Sequence, residues 1–220
     1  MYTYVTDREF LSRMKKYCGA VMQDLCHELR VKYQISAIFY LVGSSKRNMV
    51  LQNENRPIDL DYNLEIQKVA DINDCRTIKE SVRKAFDTVL AKKYSFWHCE
   101  DSTSSLTTKR ISFSDGNRTE FSMDVCIVYR DKESGYNRLI HEKTGFSYDD
   151  KYYWNQVFDS TGLRKKISYI KKKSSWLKVR EEYLKLKNNY LVKNDNTHPS
   201  FVCYIEAVNN VYNALRQQVK

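Results

Sequence analysis

The sequence predicts an α+β protein in which a mixed β-sheet is flanked by helices and followed by a helical C-terminal lobe. Apolar residues recur at helical spacing before residue 31 and again after residue 160, whereas strict two-residue alternation runs from Ile58 to Ile66. With 220 residues, of which 42% are hydrophobic and 13% aromatic, the chain has enough apolar surface to bury a core.

The N-terminal elements are predicted from their periodicity and their end signals. Thr6-Asp7-Arg8-Glu9 has the form of a capping box, and we expect a long amphipathic helix to run from it to about Val31. The stretch 35–42 is almost continuously apolar and rich in β-formers, which predicts a central strand covered on both faces. That strand ends at Gly43-Ser44-Ser45, and we expect Lys46–Leu51 to form a short helix.

The strand from Ile58 to Ile66 has the clearest pattern in the chain. Its even positions are apolar or aromatic, and its odd positions from Asp59 to Glu65 are acidic or amide, so Asp59 and Asp61 project from the same face. Like charges placed this close destabilise a strand. The pattern therefore favours a bound cation at this face.

The middle of the chain is expected to add a helix and a hairpin. Asn73 is suited to cap a second helix over residues 74–93, and Tyr94 to Cys99 is predicted to be a strand. Alternation on both sides of a turn predicts a hairpin over residues 110–127. Asp124 then lies in mid-strand on the face opposite the apolar row, as a third carboxylate of interest.

The C-terminal part changes to helical periodicity. After an ambiguous polar segment that contains one further expected strand at 138–141, apolar spacing predicts two helices, and Pro199 fits the first turn of a terminal helix. We accordingly expect residues 1–145 to form the α/β core and residues 146–220 to form a helical lobe packed on it.

Most of the net charge of +10 is concentrated in one segment. Between Ser160 and Lys193 there are eleven Lys or Arg residues and two acids. A basic surface of this kind favours an anionic partner, either a nucleic acid or the phosphates of a nucleotide. A solvated, lysine-rich helix face gives the same composition and stays open as an alternative.

The sequence contains neither a membrane-spanning pattern nor a signal-peptide pattern, so we expect a cytoplasmic protein without membrane association. Its six cysteines are scattered with no CxxC pair, which argues against a zinc ribbon and against a dense disulfide framework. Buried thiols are the expected state.

Three strand carboxylates and a Gly-Ser turn are the parts that metal-assisted nucleotidyl transfer requires. Divalent ions held by carboxylates can stabilise the attacking and the leaving oxygens of an in-line displacement, and carboxylate oxygens suit Mg²⁺. Backbone N–H groups beside a serine hydroxyl suit a phosphate. We therefore expect Gly43 to allow close approach and Ser44 and Ser45 to bind a triphosphate.

These residues resemble those of a known family. Leu41-Val42-Gly43-Ser44-Ser45, then Asp59-Leu60-Asp61-Tyr62, then Asp124 within Phe121–Val125 resemble the nucleotidyltransferases of the DNA polymerase β superfamily, over roughly residues 35–130.

The resemblance implies a nucleotidyltransferase-like fold and a division of roles. Gly43 and Ser44 would bind nucleotide phosphate, and Asp59 and Asp61 would hold two metal ions, Mg²⁺ or Mn²⁺. Asp124 would complete one metal site and help to activate the acceptor hydroxyl. The C-terminal lobe resembles no particular member, so the resemblance does not identify the acceptor.

The function predicted from the sequence is transfer of an NMP from an NTP such as ATP to an acceptor hydroxyl, with release of pyrophosphate. Lys46 is expected to neutralise phosphate charge, and Arg110 to approach the nucleotide. The basic segment favours a nucleic acid such as tRNA as acceptor, followed by a nucleotide, a protein side chain or a small molecule.

Two other interpretations remain open at this point. One is a non-catalytic protein that binds nucleic acid or nucleotides, with the acids merely solvated. The other is one component of a two-protein module of the toxin–antitoxin kind, in which a partner supplies or restrains the activity.

Overall fold

The computed structural model describes residues 1–94, 98–133, 135–157, 161–195 and 199–217. In chain order the elements are β1 (Tyr2–Tyr4), α1 (Arg8–Tyr33), β2 (Ser36–Leu41), α2 (Gly43–Lys46), β3 (Leu51–Asn53), β4 (Ile58–Lys68), α3 (Cys75–Tyr94), β5 (Glu100–Asp101), β6 (Leu106–Thr107), β7 (Phe121–Asp131), β8 (Gly135–Glu142), β9 (Lys151–Gln156), α4 (Thr161–Lys172), α5 (Trp176–Val192) and α6 (Ser200–Gln217). None of the described helices combines the length and the apolar character needed to cross a bilayer.

The chain divides into two compact units. The sheet unit comprises residues 7–46 and 57–158, and the helical unit comprises residues 1–6, 47–56 and 159–220. The boundary that the sequence suggests between residues 145 and 146 stays a prediction.

In the described part of the chain, the sheet unit is built on seven strands of mixed direction. β4 lies between β2, which is antiparallel to it, and β7, which is parallel to it. The other edge of β7 pairs with β6 near its start and with β8 near its end, both antiparallel, and β5 and β9 extend these two branches. The predicted α+β class with a mixed sheet is confirmed.

One face of this sheet is buried under helix α1. Asp7 caps the helix by accepting a hydrogen bond from the Phe10 backbone N–H at 2.9 Å. The Tyr62 hydroxyl reaches the Lys15 carbonyl at 3.5 Å, and the Phe10 and Phe121 rings are 6.3 Å apart. Because the even-numbered side chains of β4 are buried on this side, the odd-numbered aspartates are left on the opposite face.

Two expectations around β2 are wrong. Among the described strands β2 pairs only with β4, so it is an edge strand, and Ile38 is 50% exposed. An apolar run indicates β-propensity but carries no information about the number of neighbouring strands. Residues 46–51 do not form a helix either, because α2 ends at Lys46 and Leu51 enters β3, which pairs with β1.

The predicted hairpin over residues 110–127 forms only in part. Among the described residues, its first arm pairs antiparallel with β7 at Ile111 and Phe121, whose backbone N–H groups each donate to the other's carbonyl. The strand that pairs along most of β7 is β4, which is parallel to it and about sixty residues earlier in the chain. Strand β9 was not predicted, because Lys151–Gln156 does not alternate. The strand expected at 94–99 falls largely on residues 95–97, which lie outside the described residues.

The remaining helix predictions need small changes. Asp74 rather than Asn73 caps α3, since its carboxylate accepts from the Thr77 backbone N–H at 3.0 Å. The three C-terminal helices are confirmed, and Pro199 accepts hydrogen bonds from the first turn of α6. The core of the helical unit is a cluster of side chains from these helices and from residue 49: Met49, Ile170, Val179, Tyr183, Leu186, Cys203, Tyr204, Ala207, Val208 and Val211.

Candidate active site

Three aspartates come together on the exposed face of the sheet. Asp59 and Asp61 lie on β4, and Asp124 lies on the parallel strand β7, where it is the direct partner of Asp61. Adjacent strands are about 4.8 Å apart, and directly paired residues share a face. The structure therefore brings together the three carboxylates that the sequence singled out.

Two hydroxyl groups hold this arrangement in place. The Ser122 hydroxyl donates to Asp59 Oδ1 at 2.6 Å, and the Thr107 hydroxyl donates to Asp124 Oδ1 at 2.5 Å. Sequence reasoning missed both residues. Ser122 precedes Asp124 by two positions on the same strand, so alternation was sufficient to find it, whereas only the pairing of β6 with β7 brings Thr107 there.

The local electrostatics of the site are unfavourable for an additional negative charge. Burial raises the pKa of Asp124, the hydrogen bond from Thr107 opposes this shift, and the negative charge of Asp59 adds to it. Burial and a neighbouring negative charge disfavour the ionised form of this carboxyl group, and a nearby cation would stabilise that ionised form. This is a property expected of a metal-binding carboxylate.

The donor set fits a magnesium–nucleotide complex better than a cage made by protein alone. Among the described residues, no three Asp, Glu, His or Cys side chains are arranged to hold a metal ion. Mg²⁺ usually takes only one or two carboxylates and completes its shell with water and substrate phosphates. Asp61 and Asp124 match that requirement because they are direct partners on neighbouring strands.

Gly43 lies directly against one of these carboxylates. Its φ is +64°, and a Cβ atom at this position would stand 1.9 Å from Asp61 Oδ2. The Val42 backbone N–H donates to the Asp61 carbonyl at 2.8 Å and holds the turn to β4. Only glycine satisfies both the backbone conformation and the close approach.

The other predicted binding residues are placed differently from one another. Ser44 is partly buried, whereas Ser45 is fully buried and its hydroxyl has no hydrogen-bond partner among the described residues. Lys46 is exposed at the end of α2. Arg110 is exposed and pairs with Glu120 at 3.4 Å, not with an aspartate of the site. The binding roles of these four residues stay predictions.

Comparison with known proteins gives matches by structure alone. No protein-family model matches the sequence, and no curated protein sequence matches it. The CdnE cyclic dinucleotide synthase of Elizabethkingia meningoseptica, solved with GTP and Apcpp, is 17% identical with a TM-score of 0.51, over 89% of this chain and 69% of that one. CdnC of E. coli MS115-1, solved with ATP, is 13% identical with a TM-score of 0.55, over 92% of this chain and 61% of that one.

At sequence identities this low, the similarity concerns the fold alone. This chain covers 69% of the length of CdnE and 61% of the length of CdnC. CdnE is described as a cyclic dinucleotide synthase, and CdnC was solved with ATP bound. The resemblance first drawn from Gly43-Ser44, Asp59, Asp61 and Asp124 is confirmed at the level of architecture. The chain has the nucleotidyltransferase fold that these two proteins share.

Proposed function

We propose that this protein is a metal-dependent nucleotidyltransferase that moves an NMP from an NTP to a hydroxyl group of a second nucleotide. The observation that carries the proposal is the placement of Asp61 beside Asp124 on one sheet face, with Gly43 against Asp61. The fold supports it, since one similar protein is a cyclic dinucleotide synthase and the other was solved with ATP.

The donor NTP is proposed to bind with its phosphates at Gly43 and Ser44. The carboxylate of Asp61 fills the space that a side chain of Gly43 would take, so a phosphate bound at this turn would lie beside Asp61 and the metal ion that Asp61 would hold. A direct contact from Ser45 requires its buried hydroxyl to become accessible, so Ser44 is the better candidate for a hydroxyl contact.

Asp61 and Asp124, with Asp59 two residues away on the same face, are proposed to hold one metal ion, either Mg²⁺ or Mn²⁺. When bound, it would supply charge stabilisation for the phosphoryl oxygens during in-line displacement. Ser122 and Thr107 orient two of the three carboxylates through their hydrogen bonds.

The transfer itself makes one bond and breaks one. The acceptor oxygen forms a bond to the α-phosphorus, the bond from that phosphorus to the pyrophosphate oxygen breaks, and the hydroxyl proton passes to Asp124.

A nucleotide is the preferred acceptor. The basic segment of the sequence favoured RNA, but neither similar protein is described as acting on RNA, and CdnE is described as a cyclic dinucleotide synthase. A second nucleotide also satisfies the preference of a basic surface for phosphate.

The direct test measures pyrophosphate release and labelled products from all pairwise mixtures of the four NTPs with Mg²⁺ or Mn²⁺. The wild type is expected to release pyrophosphate and to form a nucleotide-linked product, and Asp61→Ala is expected to abolish both. Asp149→Ala, which removes an exposed carboxylate of the same unit, is the matched control and should retain full activity. Equal activity in the wild type and Asp61→Ala would contradict the proposed site.

A further inference from the structure

The seven-stranded sheet has an open edge at β2. Among the described strands β2 pairs only with β4, and no backbone hydrogen bond to any other described element crosses its outer edge. The side chain of Ile38, in the middle of β2, is 50% exposed. An open edge presents a row of unpaired N–H and C=O groups, to which another strand can add. The outer edge of β2 is therefore a candidate docking site.

The hydrogen bonds on the inner edge of β2 identify the backbone groups that are free. The Val42 N–H, just after β2, donates to the Asp61 carbonyl of β4 at 2.8 Å. Bonded positions recur at every second residue of an antiparallel pair, so Tyr40 and Ile38, two and four residues earlier, also bond to β4. The residues between them direct their N–H and C=O groups to the open edge: Ala37, Phe39 and Leu41.

The other end strands of this sheet are protected, whereas β2 is not. In the described part of the chain β5 is two residues long and both residues, Glu100 and Asp101, are acidic. β9 carries the charge of Lys151 and ends in two amides. Natural proteins use short length and charge to prevent edge-to-edge pairing. Ser36–Leu41 contains no charged residue and no proline, and the register shift in its pairing with β4 lies at its first residue.

The chemistry of this edge favours a second copy of the chain as its occupant. The chain has a net charge of +10, and 29% of its residues are charged, so two copies repel each other over most of their surface. β2 adds no charge to that repulsion. It also offers no charge that would pair with an acidic or a basic strand. The complement of β2 is therefore an uncharged, apolar strand, and β2 itself has that composition.

β2 is also complementary to itself in register. A two-fold axis at Phe39 would place Phe39 opposite its own copy and Ala37 opposite Leu41 of the second copy, in antiparallel direction. All the free backbone groups from residue 37 to residue 41 would then be bonded. Ile38 would face Tyr40 of the second copy at a non-hydrogen-bonded position, where cross-strand side chains approach most closely. This contact would cover the exposed part of Ile38.

We infer that the outer edge of β2 joins two copies of this chain by antiparallel β2–β2 pairing, which extends the sheet across both copies. This inference does not depend on the proposed nucleotidyl transfer. The interface is small, so the dimer forms at high protein concentration and dissociates on dilution. Salt screens the repulsion between the two positively charged copies, so the dimer becomes stronger as the salt concentration rises.

Hydrogen exchange of the wild-type protein tests the edge directly, with sedimentation velocity recording the oligomeric state at high and at low protein concentration. The amides that point to the open edge, those of Ala37, Phe39 and Leu41, are expected to exchange about 10-fold more slowly or slower still in the concentrated sample. The amides of Ile38 and Tyr40 bond to β4 and should be protected alike in both samples. A chain that stays monomeric, with fast exchange at the three edge amides, would leave the edge to a strand of another protein and overturn the inference.

Three variants locate the interface on the sheet. Ile38→Lys adds a like charge to each copy and removes the apolar contact, so it is expected to raise the dimer dissociation constant by about 10-fold or more. Ile38→Val keeps an apolar β-branched side chain and should dimerise like wild type. Tyr153→Lys is the matched control, because Tyr153 is 42% exposed on the end strand β9, and it should leave the dimer unchanged. A dimer that Ile38→Lys leaves intact lies on another surface and overturns the inference.

Cysteine cross-linking tests the register. Ile38→Cys mixed with Tyr40→Cys is expected to give a disulfide-linked dimer under mild oxidation, since the two Cα atoms would be about 4.5 Å apart across the interface. Each variant alone should give no more cross-linking than wild type, whose own thiols are buried or partly buried. No cross-link in the mixture, or an equal one in Ile38→Cys alone, would overturn the pairing centred on Phe39.

Discussion

Replacing Gly43 by alanine should disable the site without unfolding the protein. The added Cβ atom would stand 1.9 Å from Asp61 Oδ2 and 2.8 Å from its Cγ. To reach ordinary contact at 3.4 Å, the turn and the carboxylate must move apart by about 1.5 Å. The φ of +64° also disfavours any side chain, by about 1–2 kcal/mol.

The expected result follows from these two magnitudes. A displacement of about 1 Å in a catalytic group can reduce the rate by about 100-fold, so we expect Gly43→Ala to lower kcat at least that much. The stability loss should stay near the backbone term of about 1–2 kcal/mol, because the Asp61 side chain is partly exposed and can rotate away.

The assay compares pyrophosphate release and thermal unfolding in the wild type, Gly43→Ala and Gly19→Ala. Gly19 lies inside α1, and a methyl group added there would meet no atom within 4 Å, so Gly19→Ala should keep full activity and stabilise the helix by about 1 kcal/mol. Wild-type turnover by Gly43→Ala would refute the close approach between this turn and Asp61.

Two more predictions concern charge. Burial raises the pKa of Asp124 above its ordinary value of 3.8, so the folded protein binds the proton more tightly than the unfolded chain, and its stability falls as the pH rises through the raised pKa. Without metal, Asp124→Asn should therefore have a higher melting temperature than wild type at neutral pH, lose this advantage below about pH 4, and be inactive. A melting temperature below that of wild type at neutral pH would contradict this electrostatic account. The exposed lysines at the end of α4 should bind single-stranded RNA weakly, with an affinity that falls steeply as the salt concentration rises. Replacing Lys171, Lys172 and Lys173 by alanine should make the dependence of RNA affinity on salt less steep. If the salt dependence stays identical to that of wild type, the basic segment is a solvated helix face.

The aspartate site could be predicted because the alternation of apolar and polar residues within each strand is enough to assign its side chains to a face. Alternation assigns Asp59 and Asp61 to one face of β4 and Asp124 to the polar face of β7, whatever the neighbouring strands are. The Gly-Ser turn after an apolar strand, taken together with these three aspartates, carried the family resemblance. The same local reasoning failed for β2 and for residues 110–127, where the error lay in the pairing partner.

Residues outside the motif were found only through pairing. Thr107 lies in a serine- and threonine-rich stretch without a sequence signal, yet β6 sets it against Asp124 at 2.5 Å. Arg138 was expected to lie on a strand, but its position on the face of the aspartates depends on its register with Val128. A shift of one residue in that register would turn its side chain to the opposite face.

The sequence by itself therefore determined the class of the fold, the long helices and the faces of the strands that carry the three aspartates, since periodicity is a local property of the chain. Only the tertiary structure decided that β4 and β7 are parallel neighbours with Asp61 opposite Asp124, that Gly43 touches Asp61, and that the hydroxyls of Ser122 and Thr107 contact the other two aspartates. Strand pairing joins residues far apart in the chain, and it is stabilised by backbone hydrogen bonds that nearly every residue can make, so the local pattern does not specify it.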